Sequence, residues 1–209
     1  MYIKILEIIR WDVVMNNQEN INDSASEEVA VKYPASEFSK WCFDILETIV
    51  QSFAIVLIIF TPFFRVMTVD GESMMNTLLH QDKIFVWRWD YKPTKGDVVT
   101  ITHGQIFDKP IVKRVIATGG DTLSIDFTDG SVTVNGEVLD ETYIKEPMWR
   151  EEDGEIPAVV PMGYSFVMGD NRNNSTDSRS KLIGLIPDED IIGKVSFIVY
   201  PFNRIGAVS

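Results

Sequence analysis

An apolar run from Ile45 to Phe64, carrying Glu47 near its start and closed by Arg65, constrains this chain more than any other stretch. It contains Ile49-Val50 and the unbroken Phe53-Ala-Ile-Val-Leu-Ile-Ile-Phe60. At helical rise its uncharged part, Thr48 to Phe64, covers about 25 Å, enough for one slightly thin crossing of a bilayer. A buried core helix is the alternative. That would need a large helical domain around it, and nothing downstream reads as helical. A single membrane span is the better reading. Basic residues near its two ends do not differ enough to orient it.

Before the run the sequence is less decisive. Residues 1–15 mix apolar residues with a charge every few positions and offer no small-residue cleavage site, so they do not read as a signal peptide. They fit either an amphipathic helix on a membrane surface or a loosely ordered arm. Residues 16–40 are rich in Asn, Ser and Glu without apolar periodicity and read as a flexible linker.

After Arg65 the hydrophobic period becomes two. Lys83–Tyr91 alternates, with Phe85, Trp87, Trp89 and Tyr91 on one face. That aromatic face is expected in the core, with a shallow membrane-docking edge as the second reading. Asp97–Thr102, Pro110–Ala117, Tyr164–Met168 and Lys194–Tyr200 read as further strands, and Val132–Leu139 as a hairpin turning at Asn135-Gly136. The prediction is a mainly β domain, a coiled or barrel-like antiparallel sheet anchored by one N-terminal transmembrane helix.

Charge and cysteine content narrow the function. A net charge of −12 over 209 residues argues against nucleic-acid binding, which calls for a basic face. With Cys42 as the only cysteine and His80 and His103 the only histidines, neither an intramolecular disulfide nor a structural zinc site is expected. Neither histidine has the spacing of a catalytic triad or a metal site.

Two residues could carry chemistry together. Ser73, in Gly71-Glu-Ser-Met-Met-Asn-Thr-Leu78, stands just beyond the span; on its own it reads as a turn serine. On the strand 110–117, Lys113 lies between Ile111 and Val115 on one face. If that face is buried, the ammonium is desolvated, its pKa falls, and the neutral amine can take a proton from a serine. A sheet-edge lysine paired with a carboxylate is the plainer reading. Gly169-Asp-Asn-Arg-Asn-Asn-Ser-Thr-Asp-Ser-Arg179 is either turn chemistry or a set of groups that hold a catalytic side chain. Ser178-Arg-Ser-Lys181 has the Ser-x-x-Lys spacing of penicillin-recognising enzymes, but lies in a loop and lacks that family's companion motifs.

Four blocks, Gly71–Leu78, Gly96–Val99, Lys113-Arg-Val115 through Gly119-Gly-Asp121, and Gly169–Arg179, occur in this order behind the span. In this the chain resembles bacterial type I signal peptidase, of the short single-span Gram-positive kind, over about three quarters of its length. The resemblance implies a serine endopeptidase with Ser73 as nucleophile and Lys113 as general base. Ser175 would orient the amine, and Asp177 and Arg179 would pair to stiffen the loop. The Ser73 backbone N–H would donate to the oxyanion; another branch of the family adds a hydroxyl two residues earlier, where this chain has Gly71. Asn76 replaces a usual proline. Met67, Val69, Leu78 and Val112 would line pockets for a small-x-small cleavage motif, with the substrate adding a strand beside residues 66–70.

It further implies exported preproteins and the lipid bilayer as partners, with no cofactor, metal or nucleic acid. Residues 1–44 would form a cytoplasmic arm and linker, 45–64 the transmembrane helix, and 65–209 an extracytoplasmic catalytic β domain. Two alternatives remain: an autoproteolytic Ser-Lys protease of the repressor type, which would carry a soluble or DNA-binding partner domain, and a non-catalytic membrane-anchored β module.

Overall fold

The computed structural model describes residues 37–102 and 109–208. The expected arm and most of the linker, and His103, lie outside the described residues.

Among the described residues one α-helix, α1, runs from Glu37 to Phe60, and none of its residues is buried. It begins earlier than the apolar run, because Glu37 and Lys40 pair one turn apart at 3.1 Å and the Thr48 hydroxyl donates to the Asp44 carbonyl at 2.8 Å. Residues 37–44, expected as linker, are therefore helical. The helix also ends earlier than expected. Pro62 has no N–H to continue the ladder, Thr61 closes the last turn on Leu57, and Phe64 already belongs to a strand.

The β domain uses β1 (Phe64–Thr68), β2 (Lys83–Trp87), β3 (Val98–Ile101) and β4 (Ile111–Thr118), then β5 (Leu123–Asp126), β6 (Ser131–Val134) and β7 (Glu137–Val138). It continues with β8 (Tyr164–Met168), β9 (Ile186–Pro187), β10 (Ile191–Tyr200) and β11 (Gly206–Ala207). The main antiparallel sheet has the order β1-β2-β10-β3-β4-β8-β9, with β11 on β10; β5-β6-β7 form a second, smaller sheet. The domain is mainly β and the sheet is curled. The end of β1 and the start of β4 line one cleft although three strands separate them in sheet order. Asn135 and Gly136 turn the expected hairpin with φ of 55° and 80°, the left-handed values that a tight hairpin requires.

The aromatic face of β2 is a correction. Ile84 and Val86 are fully buried, whereas Trp87 is 42% exposed and Trp89, past the strand end, 60%. The alternation is as expected but its sense is reversed. Ile84 and Val86 lie opposite Ile198 and Val195 of β10 and join them in an apolar cluster with Met74 and Leu78. Phe85 stacks outside on Phe64, with ring centres 5.1 Å apart. Of the four aromatics only Tyr91 packs against the core, its hydroxyl donating to Asp97 at 2.8 Å.

Strand β4 is covered on both faces. Ile111 and Val115 pack in one cluster, Val112 against a second, and Ile116 and Ala117 in a third beneath the small sheet. Ile116 is an extra residue: pairing with β8 jumps from Val115–Val167 to Ala117–Phe166. Such a bulge bends and twists the strand. It lets two successive residues, Ile116 and Ala117, reach the same core.

Candidate active site

Ser73 sits in a loop that leaves β1 and returns to β2. Val69 and Asp82 close its neck, with the Val69 N–H donating to the Asp82 carbonyl at 2.8 Å. Within it the Met75 N–H reaches the Glu72 carbonyl at 3.1 Å and the Leu78 N–H the Met74 carbonyl at 2.8 Å. Met74 and Leu78 anchor the loop in the core. Gly71 has φ +111°, a value side-chain-bearing residues rarely adopt, and its N–H donates to His80 Nδ1 at 3.2 Å. Asn76 is exposed.

Lys113 projects from β4 so that its Nζ lies 2.7 Å from Ser73 Oγ. The lysine is 4% exposed. Burial pulls its pKa down to about 8; Asp177 and Asp170 push back and Arg179 adds to the fall. A substantial fraction of the amine is therefore neutral near that pH, with a lone pair available to the hydroxyl it touches.

The loop after β8 supplies the surroundings. The Asn171 N–H donates to the Ser73 carbonyl at 2.9 Å and its side-chain amide to the Glu72 carbonyl at 3.1 Å. The Ser175 hydroxyl, expected to meet the lysine amine, donates instead to Asp177 Oδ2 at 2.7 Å. As a donor the hydroxyl serves the buried carboxylate, a strong acceptor, and its oxygen lone pairs are not used by that bond. Asp177 and Arg179, both inaccessible to solvent, pair at 2.8 Å. Burial alone would raise the Asp177 pKa. Arg179, the Gly169 N–H and the Ser175 hydroxyl outweigh it and hold the carboxyl below its usual range. Gly169 admits no side chain, because a Cβ there would stand 2.3 Å from Ser175 Oγ and 2.5 Å from the Ser73 carbonyl oxygen.

A second buried pair braces the nucleophile loop. Arg114, next to Lys113 on β4, donates to Asp170 through Nε at 2.9 Å and Nη2 at 2.8 Å. Its Nη1 donates to the Gly96 carbonyl at 2.8 Å, and its guanidinium lies 3.9 Å from the Tyr143 ring centre. Thr77 donates its hydroxyl to the same Asp170. Arg114, Asp170, Thr77 and Gly96 fall within the four sequence blocks and Tyr143 outside them, but their pairing carries no sequence signal: Thr77 and Asp170 are 93 positions apart.

The cleft beside Ser73 and Lys113 holds about 60 Å³, room for a few water-sized groups. Met67, Val69 and Val112 line it. Leu78 instead lies wholly buried in the core beneath. Ser178 of the Ser-x-x-Lys segment is buried and accepts the Val167 N–H at 2.9 Å, a structural post.

With this geometry in hand, comparison with known proteins is specific. A family model described as signal peptidase, peptidase S26, matches residues 42–200. Signal peptidase I P of Bacillus subtilis subsp. natto is 34% identical over 83% of this chain and 95% of its own length. Signal peptidase I S of Bacillus subtilis strain 168 is 34% identical over 86% of this chain and 96% of its own. A crystal structure of a signal peptidase I from Enterococcus faecalis V583 aligns over 51% of this chain and 98% of that one, at 25% identity and a TM-score of 0.43. The protein is a peptidase, a hydrolase of peptide bonds. Within that class it belongs to the signal peptidase family, peptidase S26.

Proposed function

We propose that this chain is a membrane-anchored serine endopeptidase that removes signal peptides from exported preproteins after a small-x-small motif, with Ser73 as nucleophile and Lys113 as general base. The observation that carries the reading is the 2.7 Å contact between a serine hydroxyl and a lysine amine buried enough to lose its proton near pH 8. Neutral Lys113 takes the Ser73 proton as Oγ attacks the scissile carbonyl. The tetrahedral intermediate collapses, the amine returns the proton to the leaving nitrogen, and water, activated by the same lysine, hydrolyses the ester.

The Ser73 backbone N–H donates to the oxyanion. Asn171 supports this by gripping the carbonyls of Glu72 and Ser73, which fixes the peptide plane that carries that N–H. The small cleft favours small side chains on the substrate. Strand β1 is an edge strand whose outer side has no partner among the described strands, so an extended substrate adds there, along residues 66–70.

Membrane anchoring rests on α1. Its 24 residues span about 36 Å, more than a bilayer's hydrocarbon core. Its apolar side chains lie open, with Phe53 at 62% and Ile58 at 69% exposure. Left in water, each such side chain forgoes about 1.5–3 kcal/mol. Anchoring also confines the enzyme with substrates whose hydrophobic segments occupy the same bilayer. The β domain then faces the extracytoplasmic side and the N-terminal arm the cytoplasm.

The test is cleavage of a preprotein by purified full-length protein in detergent or vesicles, with Ser73→Ala as control. Cut product at a small-x-small site with wild type and none with Ser73→Ala is expected; equal cleavage by both removes the reading. A second expectation concerns the tight approach at Gly169. Gly169→Ala should push Ser175 and the Ser73 backbone apart and lower kcat/KM by about a hundredfold while the protein stays folded by near-UV circular dichroism. Unchanged turnover would mean that the loop tolerates the shift.

A further inference from the structure

We propose that Arg204, beyond the last residue of the family match, is a positioning residue that clamps the Ser73 loop from behind. The inference rests on Ser73 being the nucleophile.

After β10 the chain turns back through a short 3-10 turn, Phe202–Arg204, and returns as β11. Pairing of Phe197 with Ala207 and Ile198 with Gly206 fixes this tail on β10, and the Val208 N–H adds a bond to the Ser196 carbonyl at 3.0 Å. Arg204 is thus presented from a held segment. Its Nη2 donates to Asp82 Oδ2 at 3.0 Å and to the Thr77 carbonyl at 3.2 Å, and its Nε reaches Asp82 Oδ1 at 3.2 Å.

Both partners belong to the nucleophile loop. Asp82 stands at the loop's neck, is 1% exposed, and also accepts the Leu79 N–H at 2.8 Å. Thr77 lies four residues past Ser73. Its carbonyl is held by Arg204 while its hydroxyl is held by Asp170, itself locked to Arg114 beside Lys113. The loop is therefore gripped on two sides: from β4 through Arg114 and Asp170, and from the C-terminal tail through Arg204. A planar guanidinium can serve a carboxylate and a carbonyl at once, a geometry that an ammonium does not reproduce.

The purpose of such a grip is to keep Ser73 Oγ within touching distance of Lys113 Nζ. Loosening it lengthens that contact and admits water to the amine, with two consequences. Turnover falls while substrate binding along β1 is left alone. The lysine also regains part of its ordinary basicity, so the acid limb of the pH–rate profile moves to higher pH. A residue that only stabilised the fold would produce neither effect in protein that is still folded.

The experiment measures kcat, KM and the pH profile of full-length R204A, R204K and the double variant R204A/D82N on a peptide bearing a small-x-small site. S73A and K113A are assayed beside them. R204A is expected to lose about tenfold to a hundredfold in kcat, with KM within about threefold and the acid limb displaced upward; R204K recovers part of kcat. Should the lone buried Asp82 charge unfold R204A, R204A/D82N removes that charge, leaves the Thr77 carbonyl unheld, and is expected to show the same kinetic loss. Folded variants with wild-type kcat and an unmoved limb would overturn the clamp alone, provided S73A and K113A are inactive. Cleavage by S73A or K113A would overturn the dyad, and the clamp's purpose with it.

Discussion

Lys113→Met is expected to abolish cleavage and, at neutral pH, to make the folded protein more stable. The first effect follows from the chemistry: a thioether has no lone pair basic enough to accept the Ser73 proton. The loss should match that of Ser73→Ala, about 10⁴-fold or more, because residues that act as one unit are not additive. The Ser73→Ala/Lys113→Met double variant should therefore be no worse than either single one. A Lys113→Met protein that still cleaves at a tenth of the wild-type rate would exclude the amine as the base.

The second effect comes from burial. The gap between about 8 and the ordinary 10.5 corresponds to about 3 kcal/mol against the charged form in the folded state. Below pH 8 the amine is charged both folded and unfolded, and this penalty is present in full. Between pH 8 and 10.5 the folded protein releases the proton before the unfolded chain does, so wild-type stability gains as pH rises. Methionine carries no such penalty. Urea unfolding should accordingly find Lys113→Met ahead of the wild type at pH 6.5, by up to about 3 kcal/mol, with the advantage gone by pH 10.5. The same titration governs activity: wild-type kcat/KM should climb about tenfold per pH unit towards pH 8 and then level. An advantage for methionine that stays constant with pH would mean that the amine is not desolvated.

What could be read from the residues and what could not divide along physical lines. The apolar run announced a long helix, but the first two turns of α1 interleave Phe38, Trp41 and Phe43 with Glu37, Ser39 and Lys40 and are held by local bonds such as Glu37–Lys40, so they lack the unbroken apolar character that marks the run. Its end was hidden because Phe63-Phe64-Arg65-Val66 continues the apolar character into β1; the informative signal was Pro62, which ends the ladder. In β2 the period of two was legible, but which face is buried depends on the strands alongside, and β10 supplies Val195 and Ile198 to the aliphatic side. Lys113 could be singled out as a residue, since β-branched neighbours flank it. Its depth could not, because that needs the bulge at Ile116 and the clusters on both sides of β4. Arg204 gave no sign at all: its partners stand 122 and 127 positions earlier, and no local pattern records a contact of that range.

Splitting the Asp177–Arg179 pair is expected to have the next largest effect, and the two halves should act on the base in opposite directions. Asp177 is the strongest influence that raises the Lys113 pKa against burial, and Arg179 lowers it. Asp177→Asn should therefore move the acid limb of the activity profile to lower pH, and Arg179→Gln to higher pH. Each variant also leaves one ion without its partner where neither side chain reaches solvent, which typically costs about 3–5 kcal/mol. The double variant has no lone charge and should regain part of that loss. In the wild type the pair's contribution is present above the ordinary aspartate range and disappears as pH falls through the depressed Asp177 pKa. Thermal unfolding of the four proteins at pH 7, read with their pH–rate profiles, separates the two roles. Limbs moving the same way in both single variants would mean that the loop's shape, rather than its charge, sets the basicity of Lys113.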